Sequence, residues 1–427
     1  MKKQFIIVVF QLFLLNISVF SQDFWELLPF PDSLDITCLA VNQQGDIFVG
    51  TNTSTAYDGV FRSLDEGQTW ELVLDMGLYG PASIAITDNG YIYSLGGSQG
   101  FYLTKSIDNG LTWESLAMPD YGGNVKIIAH GNDTLFVSQW AANGALLLKS
   151  ENGGLDWEVV FTTENHTSEF VADIDIAPNG DICIGLGCYL PDMGGLYRST
   201  NGGSDWDFLG LFNRMVENLE YNAQGDLIIG VRGGFDGIGG IYTIYHDNPD
   251  QIVECLAGPN INGLVLNSAG HIYAGTAWPH GILVSTDNGL SFHFENNGLP
   301  YYPIGKIESD NDDYVYALME SNSHFIYRSI EPTVTSVKDI NISEPIKVLS
   351  ISPNPAYDIV VGRFDTILTD GIYGFKIADM SGRSINCGRI NLSRDNFSLD
   401  VSHLSPGFYV LTVNYNESAY SAKIIRR

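Results

Sequence analysis

Apolar residues over most of this chain come in short β-type runs separated by turn residues. One run recurs seven times: Asp46 to Gly50, Tyr91 to Ser94, Thr134 to Val137, Asp181 to Gly185, Asp226 to Gly230, His271 to Gly275 and Tyr314 to Ala317. Around each marker the pattern predicts about four strands: one before it, the marker itself, one ending in a Ser or its equivalent, and one beginning at an aromatic residue. A second, independent signal keeps the same rhythm. Ser63, Asp65, Gly67 and Trp70 return as Ser106, Asp108, Gly110 and Trp113. They return again as Ser150, Asn152, Gly154 and Trp157, as Ser199, Asn201, Gly203 and Trp206, and as Ser285, Asp287, Gly289 and Phe292. The starts are 43, 44, 49 and 86 residues apart, and 86 is two periods, so a degenerate unit lies near Tyr242 to Asp247. A truncated copy begins at Ser329. Four-strand units repeating near 44 residues predict an all-β fold, a seven-bladed β-propeller over residues 23–331. The last unit lacks its outer strand. Trp25 to Leu28 matches Trp70 to Val73, so the beginning of this region is expected to complete the last blade and remove an open edge.

The motif S-x-D-x-G-x-T-W is identified as the Asp-box, and residues 23–331 resemble the Asp-box (BNR-type) propellers of the sialidase and photosystem II assembly factor-like group. The motif's chemistry is structural. The Asp or Asn oxygen accepts backbone N–H groups inside the turn, the Gly takes positive φ, and the Trp wedges between blades.

The ends of the chain have different compositions. Met1 to Gln22 reads as a secretory signal, with Lys2 and Lys3 before an apolar run too short to span a bilayer; no other segment approaches transmembrane length. Residues 332–346 form a polar linker with Pro332 and Pro345, and beyond it the period disappears. Residues 347–427 read as a small Ig-like β-sandwich. Ser352, Pro353, Asn354 and Pro355, then Gly382, Asp400, Gly407 and Tyr409, and the basic end Lys423 to Arg427 resemble the C-terminal sorting domain of type IX secretion in Bacteroidota. The resemblance implies contact with that secretion machinery and release from the cell or attachment to its surface.

Net charge is −29, and residues 23–344 alone carry −33. Such a charge excludes nucleic acid and anionic lipid as partners. Five scattered cysteines show no C-x-x-C pair, although a Cys183–Cys188 bridge fits their spacing. No cofactor is assigned. Asp-rich turns could hold structural calcium, but no twelve-residue loop or nonapeptide repeat locates it. The chain is expected to be a monomer.

In a propeller the loops between second and third strands share one face with those leading into the inner strands, opposite the Asp-box turns. Here they carry Tyr57, Asp58, Trp140, Tyr189, Asp192, Arg232, Phe235, Asp236, Trp278 and His280, joined by Tyr79, Asp120, Tyr121, His166, Arg214, Tyr301 and Tyr302. Tyr57, Trp140, Tyr189, Arg232, Trp278 and His280 are the candidate ligand-binding residues, suited to stacking on a polysaccharide or gripping a protein. Sialidase chemistry needs an arginine triad. Only five arginines lie in residues 23–344, and Arg62, Arg198 and Arg328 occupy one repeat position beside the Asp-box Ser. The enzymatic alternative is a glycoside hydrolase with carboxylates facing each other across the rim, Asp58 with Asp192 or Asp236. The favoured reading is a secreted or surface-bound, non-catalytic binding protein.

Overall fold

The computed structural model describes residues 23–31, 34–52, 58–77, 80–96, 103–119, 121–142, 144–163, 169–188, 194–233, 238–277, 279, 281–300, 303–320, 325–334, 347–364, 371–379, 384–393, 396–415 and 418–427. Its regular structure is entirely strand. Seven four-stranded antiparallel sheets occupy the first three quarters of the chain, six with their strands in sequence order. We number them from the sheet that begins with Ile36–Val41. Their first strands are Ile36–Val41, Pro81–Ile86, Gly122–His130, Glu169–Ile176, Met215–Tyr221, Ile261–Leu266 and Ile304–Ser309. Each first strand packs on that of the next sheet, and Ile304–Ser309 packs on Ile36–Val41, so the sheets close into a ring. The seventh sheet takes its outer strand from Trp25–Leu28, antiparallel to Ile326–Ser329 with Trp25 opposite Ser329.

Burial explains the marker runs. Second strands such as Ile47–Thr51 and Ile272–Thr276 are buried at every position, because each sheet is covered on both faces by its neighbours. Continuous apolar runs replace alternation there, whereas alternation would require a face open to water.

The repeated turns are small hydrogen-bonded units. Ser63 Oγ accepts the Gly67 N–H at 2.8 Å and donates to Asp65 Oδ1 at 2.8 Å, and Asp65 Oδ1 accepts the Thr69 N–H at 2.8 Å. Gly67 sits at φ 85°, a conformation that costs any side-chain-bearing residue energy. The Trp70 indole N–H donates to the Gly67 carbonyl at 3.1 Å. The units around Ser106, Asp108, Gly110 and Trp113 repeat these bonds. In the third and fourth sheets Asn152 and Asn201 replace Asp, and the side-chain bond reverses polarity. Asn152 Nδ2 donates to Asp156 at 3.0 Å, whereas in the first sheet Thr69 Oγ1 donates to Asp65 at 2.6 Å. Gly154 and Gly203 accept the Trp157 and Trp206 indoles at 3.1 Å. Asp287 and Gly289 build the same turn in the sixth sheet.

The Cys183–Cys188 bridge that the spacing allows does not form, and Cys38 and Cys183 are free thiols. Cys183 and Cys188 lie five residues apart on one extended strand, Ile182–Cys188. That is a separation of about 16 Å, against the ~7 Å limit for a disulfide.

Strands from Lys347–Ser352 to Ser418–Arg426 form a separate unit with strand order 384–392, 371–379, 407–415, 418–426, 347–352, 359–364 and 396–400. Lys347–Ser352 runs parallel to Ser418–Arg426, and the other pairings are antiparallel. Its own core includes Leu349, Val360, Phe364, Phe375, Ile377, Leu411 and Ile424.

Candidate ligand rim and axial channel

Every first strand carries a β-bulge at the same place. The register shifts between Ile36 and Cys38, Pro81 and Ser83, Asn124 and Lys126, Val171 and Asp173, Val216 and Asn218, Ile261 and Gly263, and Ile304 and Lys306. A bulge re-aims side chains locally. Residues at these bulges, among them Cys38, Ser83, Lys126, Asn218, Gly263 and Lys306, line an axial cavity of about 340 Å³ whose wall is shared by all seven sheets. Bonds between neighbouring inner strands stitch the wall. Thr37 Oγ1 donates to the Pro81 carbonyl at 2.6 Å, Asn218 Nδ2 to Ile261 at 3.1 Å and Asn262 Nδ2 to Ile304 at 3.0 Å, while Asp173 accepts the Leu219 N–H at 3.0 Å.

The channel is lined by charge. Lys126 pairs with Asp173, and Glu217, Glu220, Lys306 and Glu308 share the wall. Glu308 is exposed to the channel, yet desolvation within that narrow space pushes its carboxyl up to about 7, with Lys126 and Lys306 drawing it back. Burial likewise raises Asp175 to about 6, against the backbone N–H groups of Tyr221 and Ile176 that favour its charged form. Glu220 is raised well above the carboxylate range by burial and by Asp175 and Asp173.

A stability profile follows. A carboxyl whose folded pKa lies above its unfolded value favours folding at low pH and loses that contribution as pH rises. Between pH 5 and pH 8 the melting temperature is therefore expected to fall. Glu308→Gln should raise it at pH 8 by an amount equivalent to about 1 kcal/mol, the full shift being reduced because Glu308 opens onto the channel. A flat profile, or a Gln variant no more stable at pH 8, contradicts a raised Glu308 carboxyl in the channel.

At the end of the channel away from the Ser–Gly turns lies the rim. Arg232 ends the strand Leu227–Arg232 and sits 3.9 Å from Glu217 and 3.8 Å from Glu320. Asn262 Nδ2 also donates to Glu320 at 3.0 Å. Trp140, near the end of Thr134–Ala141, is 44% exposed, and Tyr121 is 49% exposed on the loop leading into the same sheet. Buried Gln139 accepts the Tyr121 N–H at 3.2 Å and donates to the Pro119 carbonyl at 3.0 Å, which fixes that loop. Gly122 admits the close approach: a Cβ there would lie 1.9 Å from the Trp140 carbonyl oxygen.

Not every sequence candidate reaches this rim. Asp58 is completely buried in the strand Asp58–Ser63. Arg214 is on the rim side and donates to the Ile238 carbonyl. Tyr57, Tyr189, Asp192, Phe235, Asp236, Trp278 and His280 lie outside the described residues, as do Tyr79, Asp120, His166, Tyr301 and Tyr302. The channel carboxylates and Lys126 were not among the sequence candidates. The signal available for them is the polar alternation within inner strands, as in Asp173 and Asp175 or Asn218 and Glu220. Among the described residues no group of three His, Cys, Asp or Glu side chains is arranged to hold a metal ion.

Residues 350–427 match the family described as Secretion system C-terminal sorting domain. No curated protein matches the chain. Among solved structures, the chain is similar to YCF48 bound to D1 peptide, at 17% identity and TM-score 0.56, over 74% of this chain and 99% of that one. It is also similar to the extracellular domain of BT4673 from B. thetaiotaomicron, at 15% identity and TM-score 0.56, over 94% of this chain but only 53% of that one, about half its length. The RRP9 WD40 repeats align at 10% identity and TM-score 0.52, over 72% of this chain and 97% of theirs. At these identities the likeness is one of fold: a β-propeller. No helix among the described residues is long and apolar enough to cross a membrane. The ring of sheets and the sorting domain together make this an all-β, propeller-folded protein exported by type IX secretion to the cell surface or the medium.

Proposed function

We propose that this chain is a non-catalytic binding protein, a seven-bladed Asp-box propeller that captures a polysaccharide or a protein partner on the rim opposite its Asp-box turns. The sorting unit, read as an Ig-like sandwich over residues 347–427, delivers it outside the cell. One observation carries the reading: Trp140, near the end of its strand, and Tyr121, on the loop into the same sheet that Gln139 braces, are both exposed aromatic side chains of the kind that stack on sugars or anchor an interface. Arg232, set between Glu217 and Glu320, adds polar contacts beside the channel mouth. The hydrolase alternative has less support. Asp58, one of its three carboxylates, is sealed from substrate.

The test is a glycan and polysaccharide array, run beside a co-purification from the producing organism's surface fraction. Binding by the intact chain should weaken about tenfold or more in Trp140→Ala, the loss typical of a central aromatic contact. A Trp140→Ala protein that binds as well as wild type removes the rim from the account.

A further inference from the structure

The junctions between sheets are filled in a regular way, and one of them is incomplete. At six junctions the later sheet's outer strand begins with an aromatic ring that packs on the sheet before it: Trp70, Trp113, Trp157, Trp206, Phe292 and Trp25. Two of these rings also bond across the junction. Trp206 Nε1 donates to the Val160 carbonyl at 2.7 Å, and Trp25 Nε1 donates to the Glu295 carbonyl at 2.7 Å. A cation from the earlier sheet reaches back toward the turn. Arg62 donates to the Asn109 carbonyl, Lys149 to the Gly202 carbonyl at 3.2 Å and Arg328 to Glu66 at 2.9 Å.

The fifth sheet has neither the turn nor the ring. By register, Ile252 stands where the others carry an aromatic residue, and the 245–251 turn replaces the Ser–Gly turn. A cavity of about 230 Å³ is left between the fourth and fifth sheets, with Leu209, Tyr221, Leu227 and Arg198 in its lining. Leu209 is the register equivalent of Val160, whose carbonyl receives the Trp206 indole one junction earlier.

Arg198 is correspondingly under-partnered. Arg62 and Arg328 direct Nε to cross-strand Glu71 and Glu26, at 3.0 and 3.2 Å. Arg198 faces Asp207, a methylene shorter, and its buried Nε has no partner. Its other nitrogens reach only the Pro249 carbonyl at 3.2 Å and exposed Asp250 at 3.5 Å. An arginine held in this way leaves hydrogen-bonding capacity unused in a buried setting, which is costly.

We propose that this junction is a socket for a partner protein, which inserts a turn bearing an exposed tryptophan and supplies from outside what the other junctions receive from their own chain. The indole lies against Leu209 and Tyr221, and an acceptor beside it takes the unused Nε of Arg198, whose terminal nitrogen already donates to the Pro249 carbonyl of this chain's own turn. The charge of −33 over residues 23–344 selects a partner whose turn is flanked by basic or neutral residues.

The probe is a cyclised peptide of residues 199–208, this chain's own fourth turn, with Asp205→Asn and Asp207→Asn to remove its negative charge, titrated into the full mature protein by calorimetry; cyclisation limits the ordering cost. Saturable one-to-one binding is expected, weakened at least about tenfold by Arg198→Met, by Gln224→Trp, which plugs the cavity from its exposed lip, and by Trp206→Ala within the peptide. Lys149→Met, at a filled junction, should leave it unchanged. Should Arg198→Met fail to fold, Gln224→Trp and the altered peptide decide alone. No binding at about 1 mM peptide, or equal binding by the Ala peptide, overturns the proposal.

Discussion

Trp25→Ala is expected to destabilise the ring by about 3–5 kcal/mol, the usual cost of removing a buried large aromatic side chain. In a unit of this size that corresponds to a fall in Tm of about 10 °C. The side chain is 2% exposed and packs among Val265, Tyr273, Ile282, Val284 and Ile304. Its indole N–H is bonded to the Glu295 carbonyl, 270 residues away, so the substitution also leaves that acceptor short of a partner. Because Trp25–Leu28 is the strand that closes the seventh sheet, the damage falls where the ring joins. Leu27→Ala, at a site 50% exposed on the same strand, is the control and should change little. Equal melting of the two variants would mean that the strand is not held in the sheet.

Removal of residues 348–427 is expected to abolish appearance of the protein outside a host with type IX secretion, leaving a folded ring in the periplasm. The physical basis is separability. The seven sheets take all their strands from residues 25–329, and the sorting unit has its own core around Ile377, Leu411 and Ile424. The truncated protein should therefore keep the melting behaviour of the ring while losing export. Fusion of residues 348–427 to a secreted reporter should send the reporter out. Truncated protein reaching the medium at full-length levels would contradict the assignment.

Much of this architecture was legible in the residues. The period near 44 located the sheets because each turn needs the same few atoms: a Ser hydroxyl, an Asp or Asn oxygen, a Gly with positive φ and an indole. The match between Trp25 and Trp70 pointed to the closing strand, and the missing turn near Tyr242 to Asp247 marked the sheet that leaves a cavity. The candidate site was less legible, for physical reasons. A channel wall is polar, so Glu217, Glu220 and Glu308 look in sequence like residues on an outer surface, and only ring closure turns them inward. The bulges that aim them are backbone features with no residue signature: Thr37, Ala82, Val125 and Glu217 stand at equivalent places. Asp58 belongs by position to a rim loop, yet it begins a strand and is buried there. Arg198 reads as one of three equivalent repeat residues, and its difference arises from Asp207 and from the sheet that follows.

The central claim is that this propeller holds its ligand without altering it. The most direct measurement takes a polysaccharide or peptide that the array shows to bind, incubates it with a stoichiometric amount of mature protein, and follows reducing ends or chain length by mass spectrometry. The ligand is expected to be recovered intact, while Trp140→Ala loses binding. Cleavage of the ligand, abolished by Asp192→Ala or Asp236→Ala, would contradict it and make the protein a hydrolase.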